Sequence, residues 1–199
     1  ERAGISVPGG YEYTSPEAGM ADYRMYAGKP VVIKPKSTNF GLGITILKHN
    51  YDETDFKGAL QIAFEHDNTL LIEKFIPGRE FRIFIINDEV VGILHRVPAN
   101  VTGDGVLNIG QLIDRKNEDP LRGKGYRTPL EKIRKGREEE MFLKQQGMDF
   151  NTVPKEGEVV YLRENSNIST GGDSIDFTDD IDDSYKAIAV EAAKALNVK

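Results

Sequence analysis

The hydrophobic pattern between residues 31 and 64 predicts two paired strands followed by a helix. Residues 31–35 form an apolar, β-branched run, and residues 44–48 are predicted to return beside it. Asp52 is placed to cap the following helix, with Asp55 in its first turn. Apolar residues then recur at helical spacing, namely Phe56, Leu60, Ala63 and Phe64.

A second apolar block predicts a group of antiparallel strands. Residues 70–76 and 80–86 read as strands separated by a Pro-Gly-Arg turn. Asn87 and Asp88 are typical of a hairpin turn, and they lead into a strand over residues 89–97. We therefore expect most of residues 31–97 to form antiparallel β-structure around one helix.

The pattern changes in residues 105–160, which are highly charged. Helices are predicted over residues 109–116 and 130–146, with Gly136 as a point where the second helix breaks or kinks. We interpret residues 105–160 as an inserted, mostly exposed subdomain. A last helix is predicted over residues 183–196, and its buried stripe is predicted to comprise Ile188, Ala189, Ala192, Ala193 and Leu196.

Composition narrows the function classes. The chain has 199 residues, of which 39% are hydrophobic and 29% charged, as is typical of a globular protein. The net charge of −6 argues against a general nucleic-acid binder, and no apolar run approaches the roughly 20 residues of a membrane helix. The absence of cysteine excludes disulfides, cysteine nucleophiles and Cys-ligated zinc. Three histidines make a His-rich metal site a poor hypothesis.

The first candidate site is the stretch VVIKPKSTNFGLGI, residues 31–44. Lys34 lies in a hydrophobic strand, where an unpaired charge is costly and a bound anion would compensate it. The following residues offer hydroxyls, an amide and two glycines that let backbone N–H groups approach phosphate oxygens. The alternative is a flexible hairpin tip with a solvent-directed lysine. The stretch is neither a P-loop nor a dinucleotide-binding fingerprint.

Two acids flank the predicted turn that follows. Glu73 and Glu80, with the backbone of Phe75 and Ile76 between them, supply the groups that an adenine ring and a ribose require. The alternative is a hairpin with solvated charges.

The third candidate site combines three arginines with a polar loop. Arg82, Arg96 and Arg163 lie in or at the ends of predicted strands, and guanidinium groups suit phosphate or carboxylate recognition. Asn167 begins a polar loop that ends in Ser169-Thr170-Gly171-Gly172. Surface salt bridges are the alternative for each arginine taken singly.

Taken in order, these motifs resemble the ATP-grasp superfamily, and the resemblance covers roughly residues 30–199. Within this superfamily, the chain most resembles the C-terminal glutathione synthetase domain of bifunctional glutamate–cysteine ligase/glutathione synthetases. Cyanophycin synthetases are the second group that it resembles. The blocks that carry it are EKFIPGREFRI, HRVPANVTGDGVLNIGQLID, VPKEGEVVYLR and NSNISTGGDSID. The resemblance implies an α+β ATP-grasp fold with antiparallel sheets, helices and two lobes.

The resemblance also implies a division of the chain into four regions. These are an N-terminal segment (1–30), a nucleotide-binding lobe (31–104), an inserted charged helical subdomain (105–160) and the start of a second lobe (161–199).

The resemblance assigns roles residue by residue. Arg82, Arg96, Arg163 and Asn167 would face the γ-phosphate or the acyl phosphate as catalytic residues. Residues 37–43 would form a lid over the ATP phosphates, Glu80 would hold the ribose and the segment at Glu73 would hold adenine. The full set of ATP-binding residues would be Lys34, Lys36, Ser37, Thr38, Asn39, Gly41, Gly43, Glu73, Lys74, Phe75, Ile76 and Glu80.

The implied reaction is ATP-dependent synthesis of glutathione from γ-glutamylcysteine and glycine through an acyl phosphate. The implied protein is a multifunctional, cytoplasmic ligase with no nucleic-acid or membrane partner, and homo-oligomerisation of the full-length protein is left open. Mg²⁺ is implied as well. The family's Glu-x-Asn metal motif is out of frame at Glu164, because Ser166 stands where Asn is required. We therefore expect the Mg²⁺ ligands beyond Lys199, in a chain truncated at its C-terminus.

Two rival functions remain besides the cyanophycin-type ligase. One is a non-catalytic ATP-binding module. The other is an interaction domain whose charged residues 105–160 bind a protein.

Overall fold

The structure, a computed structural model, describes residues 4–38, 42–48 and 50–198 of the chain. It contains two compact units, Glu1–Gly78 and Arg79–Lys199. This boundary lies inside the segment 31–104 that the resemblance treats as one lobe. The division into four regions therefore does not coincide with the two compact units and stays a prediction.

The first unit contains one antiparallel sheet with the strand order β1-β4-β2-β3. Its strands are β1 (Gly10–Tyr13), β2 (Val31–Pro35), β3 (Thr45–Leu47) and β4 (Leu70–Lys74). The predicted pairing of β2 with β3 is confirmed. The strand β1 was not predicted. It is formed at the sheet edge, where Gly10 packs so closely on β4 that a Cβ atom would lie 2.4 Å from the carbonyl oxygen of Ile72.

Three helices accompany this sheet: α1 (Pro16–Ala21), α2 (Tyr23–Tyr26) and α3 (Glu53–Phe64). The predicted cap of α3 is confirmed, because Oδ1 of Asp52 accepts hydrogen bonds from Thr54 N and Asp55 N at 2.7 and 3.0 Å. The helix buries its predicted apolar face against the sheet. The largest fully buried side chains here are Ile33, Phe56, Leu60, Leu70 and Ile72, and each stabilises the unit by about 1.5–3 kcal/mol through burial.

The second unit contains a three-stranded antiparallel sheet in the order β11-β6-β5. These strands are β5 (Glu80–Ile86), β6 (Glu89–Val97) and β11 (Asp173–Asp176). The predicted turn between β5 and β6 is confirmed, since Asn87 and Asp88 have φ angles of 50° and 65°. Two positive φ angles in succession are the backbone geometry that a tight hairpin requires.

Two small sheets and three helices complete the second unit. One sheet pairs β7 (Asn100–Thr102) with β10 (Val159–Tyr161), and the other pairs β8 (Arg122–Gly123) with β9 (Leu130–Glu131) in parallel. The helices are α4 (Ile109–Lys116), α5 (Arg137–Gln145) and α6 (Asp183–Ala195). The described residues contain no helix that is long and apolar enough to cross a membrane.

Most residues of the segment 105–160 are exposed, but the segment also contributes to a hydrophobic core. Some of its apolar residues point inward, while others, such as Val106 and Leu121, are exposed. Ile109, Ile113 and Leu143 are fully buried, and they pack with Val101 in β7 and with Leu162, which directly follows β10. That the segment is an inserted subdomain stays a prediction.

The helix predicted over residues 130–146 begins too early. Residues 130–131 form β9, and the helix α5 starts at Arg137 with Gly136 as its N-cap. The carboxylate of Glu139 accepts the Gly136 N–H at 2.9 Å, which fixes the helix start at this point. The stripe predicted for the last helix is also wrong in part. Only Ala193 is buried, whereas Ile188 and Leu196 are 52% and 74% exposed.

Candidate functional site

Lys34 lies in β2 and forms an ion pair with Glu73 in β4. The distance between Lys34 Nζ and Glu73 Oε2 is 2.6 Å, and the two side chains are 31% and 20% exposed. The counter-charge that the sequence required for Lys34 is therefore supplied within the protein. Two residues predicted to bind different parts of ATP are in direct contact, and their exposure leaves this pair accessible to a ligand.

The residues after β2 also have partners within the first unit. Nζ of Lys36 lies 2.8 Å from the carboxylate of Glu12. The backbone N–H of Ser37 donates to Asp67 at 2.7 Å, and this hydrogen bond is the largest cause of the lowered pKa of Asp67. Thr38 Oγ1 donates to the carbonyl oxygen of Leu42 at 3.0 Å, which closes the loop on itself. Asn39 and Gly41 lie outside the described residues.

Gly43 is required by local packing. Its φ angle is +74°, and a Cβ atom at this position would lie 2.7 Å from both His66 Cδ2 and Pro35 Cγ. Both observations favour glycine for reasons of backbone geometry. The sequence suggested Gly43 for contact with phosphate, but local packing alone is enough to explain why this position holds a glycine.

The predicted adenine segment lies at the end of β4. The backbone N–H groups of Lys74 and Phe75 donate to the carbonyl oxygens of Gly9 and Pro30, both at 2.9–3.0 Å. These two donors are therefore occupied, and an adenine at this edge would have to use carbonyl oxygens and side chains. Ile76 is 57% exposed, so it presents an apolar surface at this edge.

In the second unit, Glu80, Arg96 and Asn167 lie together. Arg96, only 7% exposed, donates from Nε and Nη2 to the carbonyl oxygen of Ser166 at 3.2 and 2.9 Å, and from Nη2 to Asn167 Oδ1 at 3.0 Å. Its Nη1 lies 3.7 Å from Glu80 Oε1. The hydroxyl of Ser166 donates to the other oxygen of Glu80. Residues from the second and third candidate sites thus form one connected cluster.

Arg82 belongs to the same sheet face as this cluster. It follows Glu80 by two residues on β5, so their side chains point the same way. Burial lowers the pKa of Arg96, the charge of Arg82 lowers it further, and Glu80 opposes both effects. Arg82 is exposed and forms no ion pair within the described ranges. The face therefore combines one buried and one exposed guanidinium.

Arg163 is bound elsewhere. Its Nη2 lies 2.5 Å from Glu138 and 2.6 Å from Glu139, both in α5. Glu139 is fully buried, and it also accepts the N–H of Gly136 that begins α5. The structure does not join Arg163 to the cluster around Arg96. Its catalytic role stays a prediction, and the observed contacts give it a part in holding α5.

A buried network of charged residues escaped the sequence analysis. Asp173 accepts hydrogen bonds from Lys116 at 2.7 Å, from Asn100 at 2.9 Å and from Arg122. The Arg122 side chain is 1% exposed. Arg122 lies in a segment interpreted as exposed, and only the tertiary contacts distinguish it from its charged neighbours.

The acidic side chains offer no clear metal site in the described ranges. No group of three or more His, Asp or Glu residues there is arranged to hold a metal ion. Both carboxylate oxygens of Glu80 are engaged by Ser166 and Arg96. The Mg²⁺ that the resemblance implies stays a prediction.

Known proteins match the chain over its full length. A family model described as the C-terminus of D-ala D-ala ligase matches residues 12–108. The glutathione biosynthesis bifunctional protein of Desulfotalea psychrophila is 60% identical over 199 residues, which are 100% of this chain and 26% of that protein. The protein of the same name from Clostridium perfringens is 57% identical over 192 residues, which are 96% of this chain and 25% of that protein.

A solved structure agrees with these relatives. The crystal structure of a bifunctional glutathione synthetase from Pasteurella multocida matches with a TM-score of 0.63 and 48% identity, over 99% of this chain and 26% of that one. The chain has the ATP-grasp fold. The predicted α+β class and the resemblance to bifunctional glutathione biosynthesis proteins are confirmed. This ATP-grasp chain spans about a quarter of the length of the relatives it matches.

Proposed function

We propose that this chain is the ATP-binding part of a ligase that makes glutathione from γ-glutamylcysteine, glycine and ATP. The observation that carries the proposal is the cluster of Glu80, Arg96 and Asn167, in which residues from separate sequence blocks converge. The relatives at 60% and 57% identity, both named as glutathione biosynthesis proteins, support the choice of substrates.

The chemistry requires two bond exchanges. A carboxylate oxygen of γ-glutamylcysteine attacks the γ-phosphorus of ATP, the bond from that phosphorus to the β–γ bridging oxygen breaks, and ADP leaves. The amine of glycine then attacks the acyl carbon, loses a proton and displaces inorganic phosphate. Neither step needs a side-chain nucleophile. Both need positive charge at the moving phosphoryl group and protection of the acyl phosphate from water.

Arg82 and Arg96 would supply positive charge for the phosphoryl group. Arg82 is exposed on the sheet face and would contact phosphate oxygens directly. Arg96 fixes the orientation of the Asn167 amide by donating to its Oδ1, and Asn167 would contact the acyl phosphate from this fixed position. Preorganised donors of this kind stabilise developing charge without reorganising during the reaction.

The nucleotide contacts would come from other predicted residues. Lys34 would exchange part of its interaction with Glu73 for the phosphates, because the pair is partly exposed and accessible to a ligand. The segment of Lys74, Phe75 and Ile76 would hold adenine, and residues 37–43 would cover the phosphates. In the complete enzyme a divalent metal would add positive charge at the phosphates, but the described residues assign it no ligand.

The proposal is tested by substrate conversion in the full-length natural protein. With ATP, γ-glutamylcysteine and glycine, we expect glutathione, ADP and phosphate in equal amounts, measured by chromatography and a phosphate assay. Parallel reactions contain D-alanine, because of the matching family model, or aspartate and arginine, because of the resemblance to cyanophycin synthetases. Product in either parallel reaction, without glutathione in the first, would overturn the proposal.

Two matched variants test the site itself. Arg82→Met and Arg115→Met each remove an exposed arginine, and Arg115 pairs only with Asp104 at 2.8 Å among the described residues. We expect Arg82→Met to lower kcat for glutathione synthesis by about 10²- to 10³-fold, the usual loss for one transition-state donor. Arg115→Met should leave kcat unchanged. Equal activity of the two variants would remove Arg82 from the site.

A further inference from the structure

Arg122 makes contacts that go beyond those of an ordinary buried ion pair. Its Nη1 donates to the carbonyl oxygens of Glu131 and Gly171 at 2.9 and 3.0 Å, and its Nη2 donates to the carboxylate of Asp173. One planar guanidinium therefore joins β9, the end of the polar loop and the start of β11. A lysine could not make these three contacts from one rigid plane.

Two cations of this network, Arg122 and Lys116, bind the same carboxylate of Asp173. Asp173 also accepts from Asn100. Burial lowers the pKa of Lys116, and its hydrogen bond to Asp173 opposes that effect. Desolvation makes such a network a weak source of stability. Its geometry, however, allows few alternative arrangements, which favours a role in holding a particular backbone conformation.

The backbone that Arg122 holds is the loop of Asn167. Within this loop, Gly172 N donates to the carbonyl oxygen of Asn167 at 3.1 Å. Gly171 has a φ angle of +89°, and a Cβ atom there would lie 2.7 Å from the Cα atom of Ile133. The loop is thus packed directly on the segment after β9. A shift of Gly171 would be transmitted to Asn167 through the Gly172 hydrogen bond.

We propose that Arg122 is a positioning residue for Asn167. Arg96 holds the Asn167 end of the loop through Ser166 and Asn167 itself, and Arg122 holds the other end through Gly171 and Asp173. The role of Asn167 in phosphoryl transfer is the one given under the proposed function, on which this inference rests. Arg122 touches no substrate and acts through the loop.

The test is Arg122→Lys in the full-length protein, with Arg115→Lys as the matched exposed control. Arg122→Lys keeps the charge but cannot keep all three contacts. We expect kcat for glutathione synthesis to fall by about 10- to 100-fold, because a displacement near 1 Å at a reacting group has a cost of this size. The KM for ATP should change little, since Lys34 and residues 73–76 are untouched. A parallel rise in KM with unchanged kcat would overturn the proposal.

A double-mutant cycle separates positioning from a general structural effect. If Arg122 acts through Asn167, Arg122→Lys should cost no further activity in an Asn167→Ala background. The same fold loss in both backgrounds would show that Arg122 acts independently of Asn167, and it would overturn the proposal. Arg115→Lys should have no effect in either background.

Two further measurements keep the result interpretable. If a thermal melt shows that Arg122→Lys does not fold, Asp173→Asn is used instead, because the amide oxygen of asparagine still accepts one hydrogen bond from the guanidinium. Asp173→Asn should then cost activity in the parent protein but no further activity in the Asn167→Ala background. Amide hydrogen exchange of Gly171 and Gly172 needs no substrate. Faster exchange in Arg122→Lys than in Arg115→Lys supports the inference even if no glutathione is formed, whereas equal exchange overturns it.

Discussion

The loop after β2 and the cluster around Arg96 were both predicted to bind phosphate, but they are held in different ways. In the described part of the loop, Lys36 and Ser37 contact Glu12 and Asp67, which lie outside the predicted phosphate lid, and Thr38 contacts the loop itself. In the cluster, the predicted residues bind one another, with Arg96 joining Glu80 and Asn167.

The pair of Lys34 and Glu73 and the cluster around Arg96 differ in how deeply their charged side chains are buried. The pair of Lys34 and Glu73 is partly exposed and can exchange its contacts for those of a ligand at little cost. Arg96 is buried and donates to the backbone oxygen of Ser166 and the side-chain oxygen of Asn167. We expect the pair of Lys34 and Glu73 to respond to ligand, and the cluster to be fixed before ligand binds.

The largest expected effect is on stability, from removal of Arg96. Arg96→Met should lower the free energy of unfolding by about 2–5 kcal/mol, because it removes the buried guanidinium that donates to the oxygens of Ser166 and Asn167. Urea unfolding measures this. Arg82→Met, on the same sheet face but exposed, should change stability by less than about 0.5 kcal/mol. Equal losses would contradict the distinction between a fixed and a responsive site.

The next effect is on ligand binding, from the exposed pair. Lys34→Met should weaken ATP binding by about 10- to 100-fold, the size expected for loss of one charge-assisted phosphate contact of about 1.5–3 kcal/mol. Calorimetry with ATP and the full-length protein measures it. Lys57→Met, on the exposed face of α3, is the control and should bind ATP like the parent. If both variants bind equally, the anion partner of Lys34 is Glu73 alone.

A further effect on stability concerns the glycine of the loop. Gly43→Ala and Gly28→Ala both place alanine at a φ angle near +74°, but only Gly43 has atoms within 3.0 Å of the added Cβ. Gly28→Ala should cost about 1 kcal/mol for backbone strain, and Gly43→Ala about 1–3 kcal/mol more because of overpacking. Thermal unfolding compares the two. Equal losses would show that the contacts with His66 and Pro35 do not constrain the loop.

Secondary structure was predictable where local signals agree. The capping pattern of Asp52 and Asp55 and the turn of Asn87 and Asp88 place α3 and the β5–β6 hairpin correctly, because caps and tight turns involve residues near in sequence. The start of α5 was predicted wrongly because it depends on a contact between residues that are not neighbours in sequence. The apolar residues of 130–133 suit a helix as well as a strand, and the parallel pairing of β8 with β9 decides between them.

The candidate site was predictable in part. Residue type and strand position were enough to select Glu80, Arg96 and Asn167, which the fold brings together. Arg163 shared the same signals, yet it is bound to α5. The sequence around an arginine at a strand end does not show whether the side chain binds a ligand or a carboxylate of the protein itself.

By itself the sequence determined the ATP-grasp fold, through its order of strands and motifs, and it predicted a set of residues for nucleotide binding. Only the tertiary structure decided which of those residues already have partners. Arg163 and Glu139 are 24 residues apart, and Arg122 and Asp173 are 51 apart. Pairings at such separations arise from packing of buried apolar surface, which brings distant charges together whatever their local sequence.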